Sequence, residues 1–537
     1  MKAKLIAAGV AVVLVAGGGA FAALRFLGAP AEDAALALVP EDAVFYGNLF
    51  IDPSMDQKRA LEGLAGRFPE VGSARNVQKG ASKLLEDPVS EAGLSFEVDV
   101  APWLGNQAAL FLLGGSGDDL QQPSGAALVA TTDIDATRAA IDKALAAQDP
   151  AIETTTETYE GVEYQLESDA DADQGAYGYV GDFLVVGDRA GFEAVVDTSQ
   201  GGAALGDSED FTGAVEGLNG DRIALAYFNS GALFDAMEEG GDLSASDREA
   251  IAGARELGVD QPSANALFAR PDALILESSY VLPDDGPLAD LSASLAAPGL
   301  VPELPGDAWL AFGFPNSGET ITTLLDAIEG LGSSPDAGTP SEAFEAGTGL
   351  SLQDDFLSWM GDAGLFVRGT NFQELNGGAA VASTNPARTI ETVQKLADLL
   401  VDRGTPVEPA ARAGGYEGFS VQIPGSPAPV YVLGGPRLVI AYGEGATDDL
   451  VAPTDALADA DRYVKAVATL GDGFATSTYV DIPAVLDLVD SLSGLAGEAS
   501  PTYEEDVKPN LEPLSHLITG VKVADGVLLT RVVVGAD

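Results

Sequence analysis

Carboxylates are the side chains through which this chain could do chemistry, and two of them recur in one setting. "GLSFEVDVAPWLG" begins at Gly93 and "GLSLQDDFLSWMG" at Gly349, so Asp99, Trp103 and Gly105 keep the spacing of Asp355, Trp359 and Gly361. Two duplicated aspartates meeting across a pseudo-twofold axis could share a proton, as the paired carboxylates of aspartic proteases do. Those enzymes carry Asp-Thr-Gly or Asp-Ser-Gly in each half. Here Asp99 is followed by Val100 and Asp355 by Phe356. The residue types fit a structural role better. Asp is a good N-cap, Pro102 is tolerated in a first helical turn, and Gly supplies the left-handed residue that ends one. The spacing therefore predicts a short capped turn pinned to a sheet by the large apolar surface of Trp.

Other chemistries have thinner support. "DADADQG" alternates Asp169, Asp171 and Asp173 as a calcium loop does, but the sixth position is Gln174 and the twelfth is Val180. A solvated acidic hairpin tip is the expectation there, with weak calcium binding as the metal alternative. His516 is the single histidine, so a multi-His metal site within one chain is excluded and a His-based triad would rest on that residue alone. Neither a Gly-x-Ser-x-Gly elbow nor a phosphate-binding loop occurs. No catalytic residue and no cofactor are assigned. With carboxylates this plentiful, a glycosidase-like pair stays open, yet no spacing singles one out.

The elements that position these residues begin with the N-terminus. After Lys2 and Lys4 the run "LIAAGVAVVLVAGGGAFAAL" carries no charge, and about 20 apolar residues suffice to cross a hydrocarbon core as a helix. The expectation is a cytoplasmic tip at 1–4, a transmembrane anchor at 5–24, and everything after it outside the cytoplasm. Ala20-Phe21-Ala22 also fits a signal-peptide cleavage site, which would make the chain secreted. The chain has no cysteine, so disulfides, thiol chemistry and a lipidated cysteine are excluded. Its 83 acidic against 27 basic residues give a net charge of -56, which would repel polyphosphate; nucleic acid is excluded as a partner.

Beyond that run the chain echoes itself. "VPEDAVFYGNLFID" from Val39 is answered by "LPGDAWLAFGFPNS" from Leu304, and "GAALVATTDIDATRAAIDKAL" from Gly125 by "GAAVASTNPARTIETVQKLADLL" from Gly378. "YEGVEYQL" from Tyr159 returns as "YEGFSVQI" from Tyr416, and "PDALILESSYVL" from Pro271 is matched by "ADGVLLTRVVV". Matches in the same order at a shift of roughly 255 residues indicate a tandem duplication. The expected fold class is α+β: two homologous tandem domains, each a mostly antiparallel sheet with helices on one face, after one N-terminal transmembrane helix. The first repeat spans 38–283 and the second 305–537. A linker rich in Pro, Ala, Ser and Gly covers 284–304, with the boundary near Gly299. Less ordered insertions are expected over 238–247, 330–347 and 497–510.

"VPEDAVFYGNLFIDPSMDQ" soon after the apolar run, followed by "GLSFEVDVAPWLG", resembles the uncharacterised bacterial membrane-anchored proteins that share domain of unknown function thirty-three fifty-two. The Asp-Val-x-Pro-Trp-Leu-Gly string is the most specific part, and it decays to "DFLSWMG" in the second copy. The resemblance implies an envelope location and carries over no activity. The functional expectation is a non-enzymatic, membrane-anchored envelope protein that works by binding or scaffolding, with a protein or lipid partner. A carrier of a lipid or other apolar ligand, and a carboxylate-based hydrolase, are the alternatives.

Overall fold

The computed structural model describes residues 32–68, 89–90, 92–114, 124–147, 153–167, 175–239, 243–297, 299–330, 339–496 and 503–537. The expected tip and span at 1–24, and Asp169, Asp171 and Asp173, lie outside the described residues. Among the described residues no helix is long and apolar enough to cross a membrane. The chain divides into two compact units, Met1–Arg248 with Asp260–Val281, and Glu249–Val259 with Leu282–Asp537.

The first unit contains strands β1 (Ala43–Phe50), β2 (Leu104–Leu113), β3 (Gly125–Thr131), β4 (Thr154–Tyr159), β5 (Val162–Glu167), β6 (Gly175–Val180), β7 (Phe183–Asp188), β8 (Ala224–Asn229), β9 (Pro262–Arg270) and β10 (Ala273–Val281). They pair antiparallel throughout, in the order β4-β5-β6-β7-β3-β2-β1-β8-β9-β10. The second unit contains β11 (Leu310–Phe314), β12 (Met360–Arg368), β13 (Asn376–Ser383), β14 (Glu408–Arg412), β15 (Tyr416–Val421), β16 (Val430–Gly434), β17 (Arg437–Tyr442), β18 (Ala475–Asp481), β19 (Leu514–Ala524) and β20 (Val527–Ala536). Their order is β14-β15-β16-β17-β13-β12-β11-β18-β19-β20, again antiparallel. Counted from the first strand of each unit, the two orders coincide.

Turn chemistry explains the hairpins. Glu160 and Gly161, with φ of 47° and 84°, form the two-residue turn between β4 and β5, a connection that needs positive φ at both positions to match strand twist. The repeated Tyr-Glu-Gly misleads here. In the first unit it ends β4 and makes the turn, whereas Tyr416 opens β15 after the turn at Gly414 and Gly415. The lettering matches, but the structural positions are three residues apart.

Helices α1 (Met55–Ala65), α2 (Ile134–Ala146), α3 (Arg189–Ser199), α4 (Glu209–Val215), α5 (Ser230–Glu239) and α6 (Ala245–Leu257) follow in that order, then α7 (Pro287–Leu295), α8 (Ser317–Gly330), α9 (Pro340–Thr348), α10 (Leu352–Asp355), α11 (Pro386–Asp402), α12 (Glu444–Val451), α13 (Asp461–Leu470), α14 (Ile482–Ala496) and α15 (Lys508–Leu511). Caps fix their starts: Asp133 accepts from the Ala136 N–H at 3.0 Å to open α2, and Asp188 from the Gly191 N–H at 2.8 Å to open α3.

These helices do not keep to one face. Ala140 and Ala144 of α2 pack with Ala127, Val129, Leu184 and Val186, while Phe192 of α3 stacks on Tyr164 at 4.7 Å. Tyr164 pairs through Gly178 with Val185, whose side chain alternates with Val186, so α3 covers the opposite surface. Within the expected insertion at 330–347, the described residues from Thr339 on differ from expectation, because Thr339 and Glu342 form a reciprocal capping box that starts α9. That signature is readable in "TPSE".

Candidate functional site

The repeated aspartates sit four residues after a serine, not at a helix N-cap. In the first unit the chain tightens over Phe96–Val100 into a π-type turn, closed by the Ala101 N–H donating to the Phe96 carbonyl at 2.8 Å. Asp99 reaches back, and its Oδ2 accepts from the Ser95 N–H at 2.8 Å and from Lys143 Nζ of α2 at 2.6 Å. Trp103, almost wholly buried, donates its indole N–H to the Asp99 carbonyl at 2.6 Å. The Trp103 carbonyl in turn accepts from the Thr132 N–H at 2.8 Å and its hydroxyl at 3.1 Å. One clasp thus ties the turn before β2 to the junction of β3 and α2.

The second unit builds the same clasp from matching residues. Ser351 is the cap of α10, its Oγ accepting from the Asp354 N–H at 3.1 Å. Asp355 Oδ2 accepts from the Ser351 N–H at 2.9 Å, and its Oδ1 from Lys395 Nζ of α11 at 2.7 Å. The Trp359 indole donates to the Asp355 carbonyl at 2.6 Å, and Thr384 donates to the Trp359 carbonyl at 2.9 Å from its N–H and 3.2 Å from its hydroxyl. Thr392 adds a hydroxyl bond to the Asp355 carbonyl at 2.6 Å.

Gly105 and Gly361 do not end a helix. Each is the second residue of its strand, β2 or β12, with ordinary φ. A Cβ on Gly105 would stand 2.6 Å from the Ala130 carbonyl oxygen, and on Gly361 3.2 Å from that of Ala382. Close approach to the neighbouring strand is what calls for glycine here.

The electrostatics follow from the contacts. The Lys143 hydrogen bond, helped by the Ser95 N–H, holds the Asp99 carboxyl below the ordinary carboxylate range. Lys395 does the same for Asp355. A carboxylate that stays ionised with its oxygens already accepting is poorly suited to general acid or base work near neutral pH.

The family model described as "Protein of unknown function (DUF3352)" matches residues 5–517. The chain belongs to that family. No curated protein matches it. Solved structures of TP0453 in crystal forms I and III are similar at 9% identity, covering 47% and 49% of this chain and 79% and 82% of the TP0453 chain. Their TM-scores are 0.23 and 0.24.

Two further polar places lie in the second unit. In the second unit a cavity of about 290 Å³ is lined by Asp307, Trp309, Arg462, Tyr479 and Asp481 among others. Arg462 donates to both Asp481 oxygens at 2.9 and 2.6 Å, and Asp481 also accepts from the Ala484 N–H at 3.2 Å near the start of α14. Asp307 pairs with Arg368 at 3.1 Å, and the Trp309 indole donates to the Gly369 carbonyl. His516 is buried, its Nε2 2.9 Å from the Thr469 hydroxyl and its Nδ1 3.0 Å from the Ser515 hydroxyl. Among the described residues, no group of three or more His, Cys, Asp or Glu could hold a metal ion.

The partners Ser95, Lys143, Thr132 and their counterparts Ser351, Lys395 and Thr384 escaped the reading of the motif. A signal for them was present. "GLS" opens both phrases, and a lysine stands in the middle of both following helical stretches, "AAIDKAL" and "TVQKLAD".

Proposed function

We propose that the chain is a membrane-tethered envelope protein with two homologous α+β modules outside the cytoplasm, working by binding or scaffolding and not by catalysis. The observation that carries this reading is the fate of the repeated polar residues. Asp99 and Asp355, with their Ser, Lys, Trp and Thr partners, spend their hydrogen bonds on matching internal clasps. What the duplication kept is therefore fold, and no reacting pair emerges from it. The uncharged run at 5–24 supports the tether, since its length suits a bilayer.

A second reading has its own support. Phe312, Leu365, Ala379 and Ile440 are cross-strand neighbours in one row of the second unit's sheet. Three of them are 39%, 37% and 42% exposed. A row of half-exposed aliphatic and aromatic side chains is a surface on which an acyl chain or an apolar partner could lie.

A reporter active only outside the cytoplasm, fused after Asp537 of the full chain, tests the tether. Reporter activity and alkali-resistant membrane association are expected, and deletion of 5–24 should abolish both. A silent reporter with the full chain in the alkali-soluble fraction would overturn it. Photocrosslinkers at Phe312 and Leu365 in living cells then separate the readings. A discrete protein adduct favours scaffolding, and co-extracted lipid identified by mass spectrometry favours the carrier.

A further inference from the structure

The first unit holds a buried polar group that the clasps do not use. Residues 32–38 form a strap ahead of β1, with a 3₁₀ turn over Ala34–Ala37. Asp33 points inward from it, where its Oδ1 accepts from the Tyr46 hydroxyl at 2.7 Å and from Asn48 Nδ2 at 2.7 Å. Gln107 of β2 fastens the same strap, its Oε1 accepting from the Ala35 N–H at 3.3 Å and its Nε2 donating to the Glu32 carbonyl at 3.3 Å. Asn48 is 2% exposed.

Two acceptors are left over at this contact. Asp33 Oδ2 and Asn48 Oδ1 are both buried with no hydrogen-bond partner among the described residues. They belong to the same two groups that already meet through Oδ1 and Nδ2. With Asp33 ionised, both of these oxygens would be buried acceptors without a donor, an expensive outcome. One proton removes the conflict, because a carboxylic acid and a primary amide can exchange two hydrogen bonds, N–H to carbonyl oxygen and O–H to amide oxygen.

We propose that Asp33 is carried as a neutral carboxylic acid doubly hydrogen-bonded to the Asn48 amide, and that this pair is a pH-gated clip fastening the strap onto the first unit. On opening, the proton leaves Asp33 Oδ2 for water and the carboxylate follows it out of the protein. Burial, the largest influence, pushes the Asp33 carboxyl upward against the opposing effects of Tyr46 and Arg222. With the folded value raised, docking of the strap is fully present on the acid side and is lost as pH rises through that value. Tyr46 on β1 and Arg222, just ahead of β8, are the titratable groups that face Asp33. The Tyr46 phenol is pushed well above its ordinary range by burial, so it stays neutral as Asp33 titrates. Glu32 on the strap and Asp207 on the turn packed against it are exposed and act only through screened water.

The clip is peculiar to the first unit. Tyr46 is the cross-strand partner of Phe111 and Tyr227, as Ala311 is of Phe366 and Tyr479. Asn48 likewise corresponds to Gly313, and neither replacement can hold a carboxyl group. Only the clip's closeness to a membrane rests on the tethered reading, and the reporter assay tests that separately.

The test uses the full chain in detergent micelles. Infrared spectra of wild type minus Asp33→Asn at pH 6 should contain the band of a protonated carboxyl. Hydrogen exchange of peptides spanning 34–39 is then followed from pH 5 to 9 as the ratio of wild-type to Asp33→Asn rates, which cancels the intrinsic pH dependence. Asn can mimic the neutral acid, so the ratio should be near one on the acid side and rise up to about tenfold per pH unit above Asp33's own titration. Arg222→Met, which keeps Asp33, should move that rise to higher pH. An absent carboxyl band, a ratio independent of pH, or an Arg222→Met strap that loosens on the acid side would overturn the proposal. Each would mean an ionised Asp33 held by Arg222 or by water.

Discussion

Replacing Asp355 with Asn probes the clasp with the smallest change of shape. The carboxylate accepts from two donors, the Ser351 N–H at 2.9 Å and Lys395 Nζ at 2.7 Å. The Asn side chain has one oxygen for both, and its NH₂ must face one of the donors. The lysine side chain is 37% exposed, so water takes over much of its loss. The half-buried Ser351 N–H at the cap of α10 loses its charged acceptor, and a hydrogen bond to a charged group is worth about 1.5–3 kcal/mol. A net destabilisation of about 2 kcal/mol is expected, which at a urea slope of about 2 kcal/mol/M lowers the midpoint by about 1 M. Urea titration read by hydrogen-exchange mass spectrometry follows peptides of each unit separately, and those spanning 376–400 should report the loss. The effect must also vanish in acid. Lys395 holds the Asp355 carboxyl below its unfolded value of about 3.9, so its contribution is complete above that pH and is lost as pH falls through the depressed folded value. A midpoint within about 0.2 M of wild type at pH 7, or a deficit that persists undiminished below about pH 3, would refute the reasoning.

The other clasp and core contacts yield sharper single-site outcomes. Gly105→Ala should destabilise the first unit more than Gly361→Ala does the second, since the new methyl meets a strand carbonyl at 2.6 Å in one case and 3.2 Å in the other; paired thermal melts decide this. Thr392→Ala installs the residue that the first unit carries as Ala140, and losing the 2.6 Å bond to the Asp355 carbonyl should cost about 1 kcal/mol in urea titration. Gly535→Ala drives a methyl into the His516 ring, so a loss of about 2 kcal/mol or more is expected, recovered in part by adding His516→Ala. If the double variant is no more stable than Gly535→Ala alone, the ring is not what excludes the methyl.

The antiparallel α+β character was legible because hairpin turns and alternation are local, as with Asp525 and Gly526 between β19 and β20. The faces that the helices take were not. That α2 and α3 cover opposite surfaces depends on how each leaves its strand, which no periodicity records. The motif told a similar half-truth. Asp, Trp and Gly announce a turn, but the donor that fixes Asp99 comes from Lys143, 44 residues on, and helix rules within one segment cannot reach that far.

Asp33 is the instructive omission. It stands in "AEDA", where it reads as an acidic flank of the apolar run. Its partners Tyr46 and Asn48 stand together on β1, and Arg222 stands just ahead of β8. Comparing the two units conceals it further, because the second offers Ala311 and Gly313 where Tyr46 and Asn48 would stand. The Asp, Ser, Lys and Trp residues that recur at matching places in the two units spend the described hydrogen bonds on the clasps. A role that belongs to one unit alone must lie where the units differ. The buried carboxyl ahead of β1 is such a place, since a group that costs folding energy when ionised persists there without a counterpart.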